Sequence, residues 1–240
     1  MCGIIGYTGP RKTSTILLEG LRRLEYRGYD SGGIAVGNAE GVAVGNAEGV
    51  AVGNAGGKGR LRVVKSVGKI AALKAAMPAE LDGTWGIGHT RWATHGGVTQ
   101  ANAHPHCSCD GKIAVVHNGI IENHGSIRAM LEKRGCPFAS ETDTEVIPHL
   151  ISLYYKGDLL EALKAAVENL QGTYGIACVH ADEPGRIVGA RNGSPLVVGV
   201  GAGEMFLASD ITAMVAYTDK VVYLNDRSEE HTSELQSPNT

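Results

Sequence analysis

Aromatic residues are scarce in this chain, with only two Phe and two Trp among 240 residues. That scarcity argues against a base-stacking platform for single-stranded nucleic acid. There is no basic block either. The net charge is -3, with acids and bases intermixed, so the electrostatic footprint of a nucleic-acid or anionic-membrane binder is missing. No run approaches the roughly 20 apolar residues of a membrane span, and the N-terminus lacks the basic segment and long apolar stretch of a secretion signal. The cysteines, Cys2, Cys107, Cys109, Cys136 and Cys178, are odd in number and thinly spread. They do not form a disulfide framework, and a reducing cytoplasm suits them better.

What is present is enough apolar material for a sizeable core, 43% of the residues, in a length that suits one large domain or two small ones. Gly3 to Tyr7 reads as a short buried strand. Ile16, Leu17, Leu21 and Leu24 fall at helical spacing and predict a helix from about Thr13 to Tyr26, with Arg22 and Arg23 outward. Residues 27–33 read as a turn-rich loop, and a strand begins at Ile34. Further strands are expected at 61–64, 86–89 and 113–117, and helices at 69–77, 123–133, 142–155 and 159–170, with Asp158 as N-cap of the last. After Gly172 the pattern turns to strands: 174–180, 186–191, 196–200, 205–208 and 221–224. Strand-rich ends around a helical middle suggest an α+β arrangement of helices on stacked sheets.

A repeat of period eight interrupts this pattern. Ile34-Ala35-Val36-Gly37-Asn38-Ala39-Glu40-Gly41 is followed by two near copies starting at Val42 and Val50. Three such units are too small to fold alone, so they read as a duplicated hairpin tip, a surface insertion at about 42–57. An even period preserves the two-sided alternation of a strand. From about Arg227 the chain is polar, with Leu235 its only large apolar residue, and disorder is expected there.

Chemistry concentrates at a few places. Removal of Met1 would give Cys2 a thiol and a free α-amine on one residue. An unperturbed α-amine titrates at about 7.7–8.0, so near neutrality part of it is a base able to take the thiol proton. Taken alone, Cys2 reads more readily as a small buried hydrophobe, and only the rest of the chain shifts that reading. His89-Thr90-Arg91-Trp92-Ala93-Thr94-His95-Gly96 follows a short strand and is costly to bury without function. Arg91 offers a fork suited to a carboxylate, whether a substrate's or a structural partner's. His117-Asn118-Gly119 ends another strand. Asn118 and the Gly119 N–H suit an oxyanion, although Asn-Gly also marks turns. Residues 141–145 place acids at the expected start of a helix, where Asp143 either caps it or holds an ammonium group. His104, His106, Cys107 and Cys109 invite a zinc reading, but their spacing is tighter than common structural zinc patterns and no second knuckle follows.

Taken together and in order, these motifs closely resemble the class II glutamine amidotransferases of the N-terminal nucleophile hydrolase superfamily. The resemblance rests on Met-Cys-Gly-Ile-Ile-Gly at the start, residues 24–32, His89 to Gly96, Asn102 to His106, and His117 to Asn123. Ser140 to Glu145, Gly193 to Leu196 and Ala208 to Asp210 complete it. The strings Glu-Tyr-Arg-Gly-Tyr-Asp-Ser and Thr-Arg-Trp-Ala-Thr-His-Gly are similar to the branch that makes glucosamine 6-phosphate. The resemblance implies a four-layer αββα sandwich of N-terminal nucleophile hydrolase type over residues 1–226, with 227–240 a tail outside the family pattern. It implies Cys2 as nucleophile towards the side-chain amide of L-glutamine, and Asn118 and Gly119 as the oxyanion hole. Arg91 would bind the α-carboxylate and Asp143 the α-ammonium, with Trp92, Thr94 and His95 lining the pocket. Trp92 would gate the ammonia route, Arg27 would brace the nucleophile's loop and His104 would support the site. No metal or organic cofactor is implied. Fructose 6-phosphate would bind at sugar-phosphate isomerase domains that this sequence does not include, so the chain is expected to hydrolyse glutamine without itself making the amino sugar.

Two other readings stay open on the sequence. If Met1 is retained, the α-amine is blocked and the chain is an inactive glutamine-binding or regulatory module. If His104, His106, Cys107 and Cys109 converge, it is a zinc-bound structural domain.

Overall fold

Ile4 and Ile5 point to opposite faces of the first strand, β1 (Gly3–Thr8), and both are completely buried. A strand with two dry faces needs a layer on each side, and the rest of the fold supplies them. The computed structural model describes residues 2–38, 50–52, 60–81, 83–226 and 229–231.

The remaining strands are β2 (Ser31–Asn38), β3 (Val50–Val52), β4 (Arg60–Val67), β5 (Trp85–Arg91), β6 (His106–Cys107), β7 (Ile113–Ile121) and β8 (Gly172–His180). They are followed by β9 (Val188–Asn192), β10 (Val197–Val200), β11 (Met205–Ala208), β12 (Val221–Tyr223) and β13 (Glu229–His231). The helices are α1 (Thr13–Leu24), α2 (Ile70–Ala75), α3 (His124–Glu132), α4 (Val146–Tyr154) and α5 (Leu159–Val167). Two antiparallel sheets result, ordered β12-β10-β11-β1-β5-β2-β4-β3 and β13-β9-β8-β7-β6.

Period-two alternation sorts the side chains into layers. Ile4, Ala35 and Ile87 from the first sheet meet Ala114, Val116, Ala177 and Val179 from the second, forming the core between the sheets. The opposite face of the first sheet, through Ile5, Ile34, Val36 and Phe206, takes Ile16, Leu17, Leu21 and Leu24 of α1 and Ile70 and Leu73 of α2. The outer face of the second sheet, through Ile113, Val115, Ile176 and Val188, is covered by α3, α4 and α5. Each buried aliphatic side chain contributes about 1.5–3 kcal/mol. The expected four-layer αββα sandwich is therefore observed.

Local readings fared unevenly. The α1 stripe formed as its spacing requires, with Glu25–Arg27 tightening into a 3-10 turn at its end. Asp158 caps α5, accepting from the amides of Leu160 at 2.8 Å and Glu161 at 3.1 Å. The loop expected to run to Gly33 instead becomes strand at Ser31, because β2 pairs with β5 along Ser31–Gly37. The helix expected from Thr142 starts at Val146 and has no acid in its first turn. The acids before it are drawn off by loop amides, as described below. Disorder beyond Arg227 does not hold at Glu229–His231, which pair with Val188–Ala190 at the sheet edge. Backbone pairing there needs no apolar side chain. In the repeat, Val50–Val52 pairs with β4, while most of the copies and the remainder of the tail lie outside the described residues. Among the described residues, no helix is long and apolar enough to cross a membrane.

Candidate functional site

Adjacent central strands of the first sheet deliver the first half of the site. Gly3 of β1 pairs with Thr90 of β5, which sets Cys2 beside the end of β5 and the Arg91-Trp92 step. The Trp92 N–H donates to the Cys2 sulfur at 3.2 Å. Burial pushes the Cys2 thiol up, and the Trp92 amide offsets part of that rise. The resting group is therefore a neutral thiol that needs a base to become a nucleophile. Among the described residues no imidazole or carboxylate is hydrogen-bonded to that sulfur.

The second half comes from β7, which lies between β8 and β6 in the other sheet. Asn118 donates from Nδ2 to the Cys2 carbonyl at 3.3 Å, and its Oδ1 lies 2.9 Å from His89 Nε2. Burial drives the His89 imidazole down to about 3, so it is neutral and hydrogen-bonds without charge. Gly119 follows at φ +128°, and a Cβ there would stand 2.1 Å from the Thr173 carbonyl oxygen. Only glycine fits this position.

Loops complete the wall. The Arg91 guanidinium is gripped by backbone carbonyls, of Gly97 at 3.2 Å, Gly96 at 3.4 Å and His95. Among the described residues it has no carboxylate partner, so the alternative of a structural Arg–carboxylate pair is not realised. Asp143 accepts at Oδ2 from the Ile121 amide at 2.8 Å and is almost fully buried. Glu145 accepts from the amides of Ala139 at 2.8 Å and Ser140 at 2.7 Å. These three bonds explain why neither acid's side chain caps α4. Trp92 lies over Gly28, where an added Cβ would come within 2.8 Å of the indole. Arg27 forms an ion pair with Asp210, whose neighbour Ser209 bonds Ile4 in β1 through its amide and hydroxyl.

A cavity of about 560 Å³ gathers all ten of the residues singled out in the sequence: Cys2, Arg27, Arg91, Trp92, Thr94, His95, His104, Asn118, Gly119 and Asp143 line it. Its volume falls in the range of small-molecule sites. His117, Thr142, Thr144, Thr173, Ser194 and Pro195 line it too. Sequence reading missed these as site residues, along with the supporting His89, Asp30 and Asn102. The Asp30 carboxylate fixes the Ala93 amide at 2.6 Å. Asn102 ties Gly97 to Glu141, donating at 3.0 Å to the Gly97 carbonyl and accepting at 2.9 Å from the Glu141 amide. The available signal was polarity in dry strands: His89, His117 and Thr90 are buried polar groups that require partners.

The alternative zinc set of His104, His106, Cys107 and Cys109 does not assemble. His104 stacks on His89 with ring centres 4.2 Å apart, and His106 bonds the Thr142 hydroxyl at 3.1 Å. Cys109, past the β6 turn, meets His149 instead, its sulfur 3.2 Å from Nδ1.

Comparison with known proteins identifies the family. The profile of the glutamine amidotransferase domain family matches residues 89–216, more than half of the chain. The chain is 52% identical over 227 residues to glutamine–fructose-6-phosphate aminotransferase (isomerizing) of Thermus thermophilus, covering 94% of this chain and 34% of that protein. It is 51% identical over 229 residues to the Pseudomonas aeruginosa protein of the same name, again covering 94% of this chain and 34% of the relative. It thus spans about a third of the length of these relatives. Among solved structures, glutamine phosphoribosylpyrophosphate amidotransferase from B. subtilis superposes with a TM-score of 0.73 at 24% identity, over 96% of this chain and 48% of that one. That likeness bears on the fold.

Proposed function

Because the chain belongs to the glutamine amidotransferase family, we propose that this cavity hydrolyses L-glutamine to glutamate and ammonia with Cys2 as nucleophile. The observation that carries the reading is the convergence of Cys2, Arg91, Asn118, Gly119 and Asp143 on one cavity. In this reading Arg91 takes the α-carboxylate and Asp143 the α-ammonium, which fixes the side-chain amide near the sulfur. Thr94 and His95 line the pocket, Trp92 covers its mouth and gates ammonia, Arg27 braces the nucleophile and His104 supports the site.

The chemistry follows from the neutral thiol. Removal of Met1 frees the α-amine of Cys2, which takes the thiol proton as sulfur attacks the amide carbon. The carbonyl electrons move onto oxygen, and Asn118 Nδ2 and the Gly119 N–H donate hydrogen bonds to the oxyanion so formed. The amine returns its proton to the departing nitrogen, the C–N bond breaks, and ammonia leaves a γ-glutamyl thioester. Water then attacks the thioester carbon and gives its proton to the amine. The C–S bond breaks, glutamate leaves and the thiol is restored. No metal or organic cofactor enters this scheme.

By likeness to the relatives, residues 1–226 constitute a type 2 amidotransferase domain carrying an insertion at about 42–57. In a longer protein with sugar-phosphate isomerase domains, its ammonia would convert fructose 6-phosphate to glucosamine 6-phosphate, in a reducing cytoplasm. The test is glutamate release from glutamine by chain of verified N-terminal mass. Turnover by Met1-free chain, abolished in Cys2→Ala, is expected. Full turnover in Cys2→Ala, or glutamine binding without glutamate release by Met1-free chain, would overturn the reading.

A further inference from the structure

We propose that Cys109, Cys136 and His149 form a zinc site separate from the glutamine cavity. None of the three lines that cavity. They come from three elements: the turn between β6 and β7, the loop after α3, and the body of α4. Their two sulfurs and one ring nitrogen lie within 4.8 Å of one another, and Cys109 Sγ is 3.2 Å from His149 Nδ1. Tetrahedral zinc, with Zn–S of about 2.3 Å and Zn–N of about 2.0–2.1 Å, spaces such donors about 3.5–3.8 Å apart. The three groups already surround a point of the right size, and closure needs shifts of about 1 Å or less.

The ligand chemistry selects the ion. Two thiolates and an imidazole favour zinc over calcium or magnesium, which take oxygen donors. Cys109 is exposed, leaving the fourth position to water. Binding displaces two thiol protons to solvent.

The surroundings of His149 supply an independent sign. Its Nε2 is buried without a hydrogen-bond partner, yet it faces Glu145 Oε1 at 3.9 Å. When Nδ1 holds a metal, Nε2 must carry the proton, and a carboxylate on that side is the usual outer partner of a zinc-bound imidazole. Phe138 packs edge-on against the ring at 4.7 Å, which fixes its plane. Glu145 also accepts from Ser140 Oγ at 2.6 Å, and that hydroxyl lies 3.0 Å from Thr142 Oγ1 in the cavity wall. Zinc would therefore pin the base of the segment that carries Thr142 and Asp143.

Cobalt(II) titration of the fully reduced chain, followed by zinc, tests this directly. One equivalent of Co²⁺ should produce a thiolate-to-metal charge-transfer absorption that Zn²⁺ abolishes. The absorption should be lost in Cys109→Ser and in Cys136→Ser, and kept in Cys2→Ala. Cys109 is exposed, so its replacement tests the ligand without threatening the fold, which circular dichroism would verify. Absence of the absorption, its survival in both serine variants, or its loss in Cys2→Ala would overturn the site.

Discussion

His89 holds Asn118 by the side-chain oxygen, Nε2 to Oδ1 at 2.9 Å, so that the amide nitrogen is turned towards Cys2. The Nδ1 of the same ring has no hydrogen-bond partner. The neutral ring donates from Nε2 to Oδ1, and the orientation of the Asn118 amide, the proposed oxyanion donor, is set from the far side of the sheet interface. Replacing Asn118 by Ala should lower kcat about 10²–10³-fold. His89→Phe keeps the stack on His104 but frees the amide. It should lower kcat with KM for glutamine little changed, as steady-state glutamate release would measure.

Arg91 is a different case, because its fork is already fixed by three backbone carbonyls and needs no rearrangement to meet a carboxylate. Arg91→Lys keeps the charge but loses the bidentate geometry. A charge-assisted bond is worth about 1.5–3 kcal/mol, so KM for glutamine should rise about 10- to 100-fold with a smaller change in kcat.

Gly119 sits where a side chain has no room. Its φ of +128° and the Thr173 carbonyl 2.1 Å from a built Cβ make Gly119→Ala strained twice over. The backbone alone should cost about 1–3 kcal/mol, read as a lower midpoint in urea denaturation, together with loss of glutamate release.

The packed imidazoles of His89, His104, His106 and His117 give a pH signature. Burial is the leading cause that pushes all four down, His89 to about 3. In the unfolded chain they take up protons near pH 6.5, while in the fold they stay neutral. Between the folded and unfolded values the unfolded state binds more protons, so stability is full above pH 6.5 and falls as the pH falls. An imidazole that stays neutral through that window, as His89 does, contributes a slope of about 1.4 kcal/mol per pH unit. Denaturation midpoints between pH 6.5 and pH 5, above ordinary carboxylate titration, should decline; a flat profile would contradict neutral burial.

How far the sequence carried depended on what kind of signal each element had. Helix α1 and strand β11 were legible because apolar spacing and burial coincide. The start of α4 was misplaced because Asp143 and Glu145 have the composition of a helix N-terminus but spend their oxygens on Ile121, Ala139 and Ser140. No local pattern reveals that Asp143 will be taken by the Ile121 amide, 22 positions away. Strand β13 was missed because edge pairing is a property of backbone, not of side-chain hydrophobicity. Cys2, Arg91, Asn118, Gly119 and Asp143 were legible as a set through order and identity. Their supports were not, since His89, Asp30 and Asn102 act through contacts 29, 63 and 39 positions away.

The central claim is that the sulfur of Cys2, freed from Met1, is the nucleophile of a glutamine cavity. The most direct measurement is mass mapping of all five cysteines after treatment with a glutamine-like electrophile, with and without excess L-glutamine. One label per chain on Cys2 is expected, only in molecules lacking Met1, and suppressed by glutamine. Label spread over the other cysteines, or equal labelling of Cys2 with Met1 in place, would contradict it.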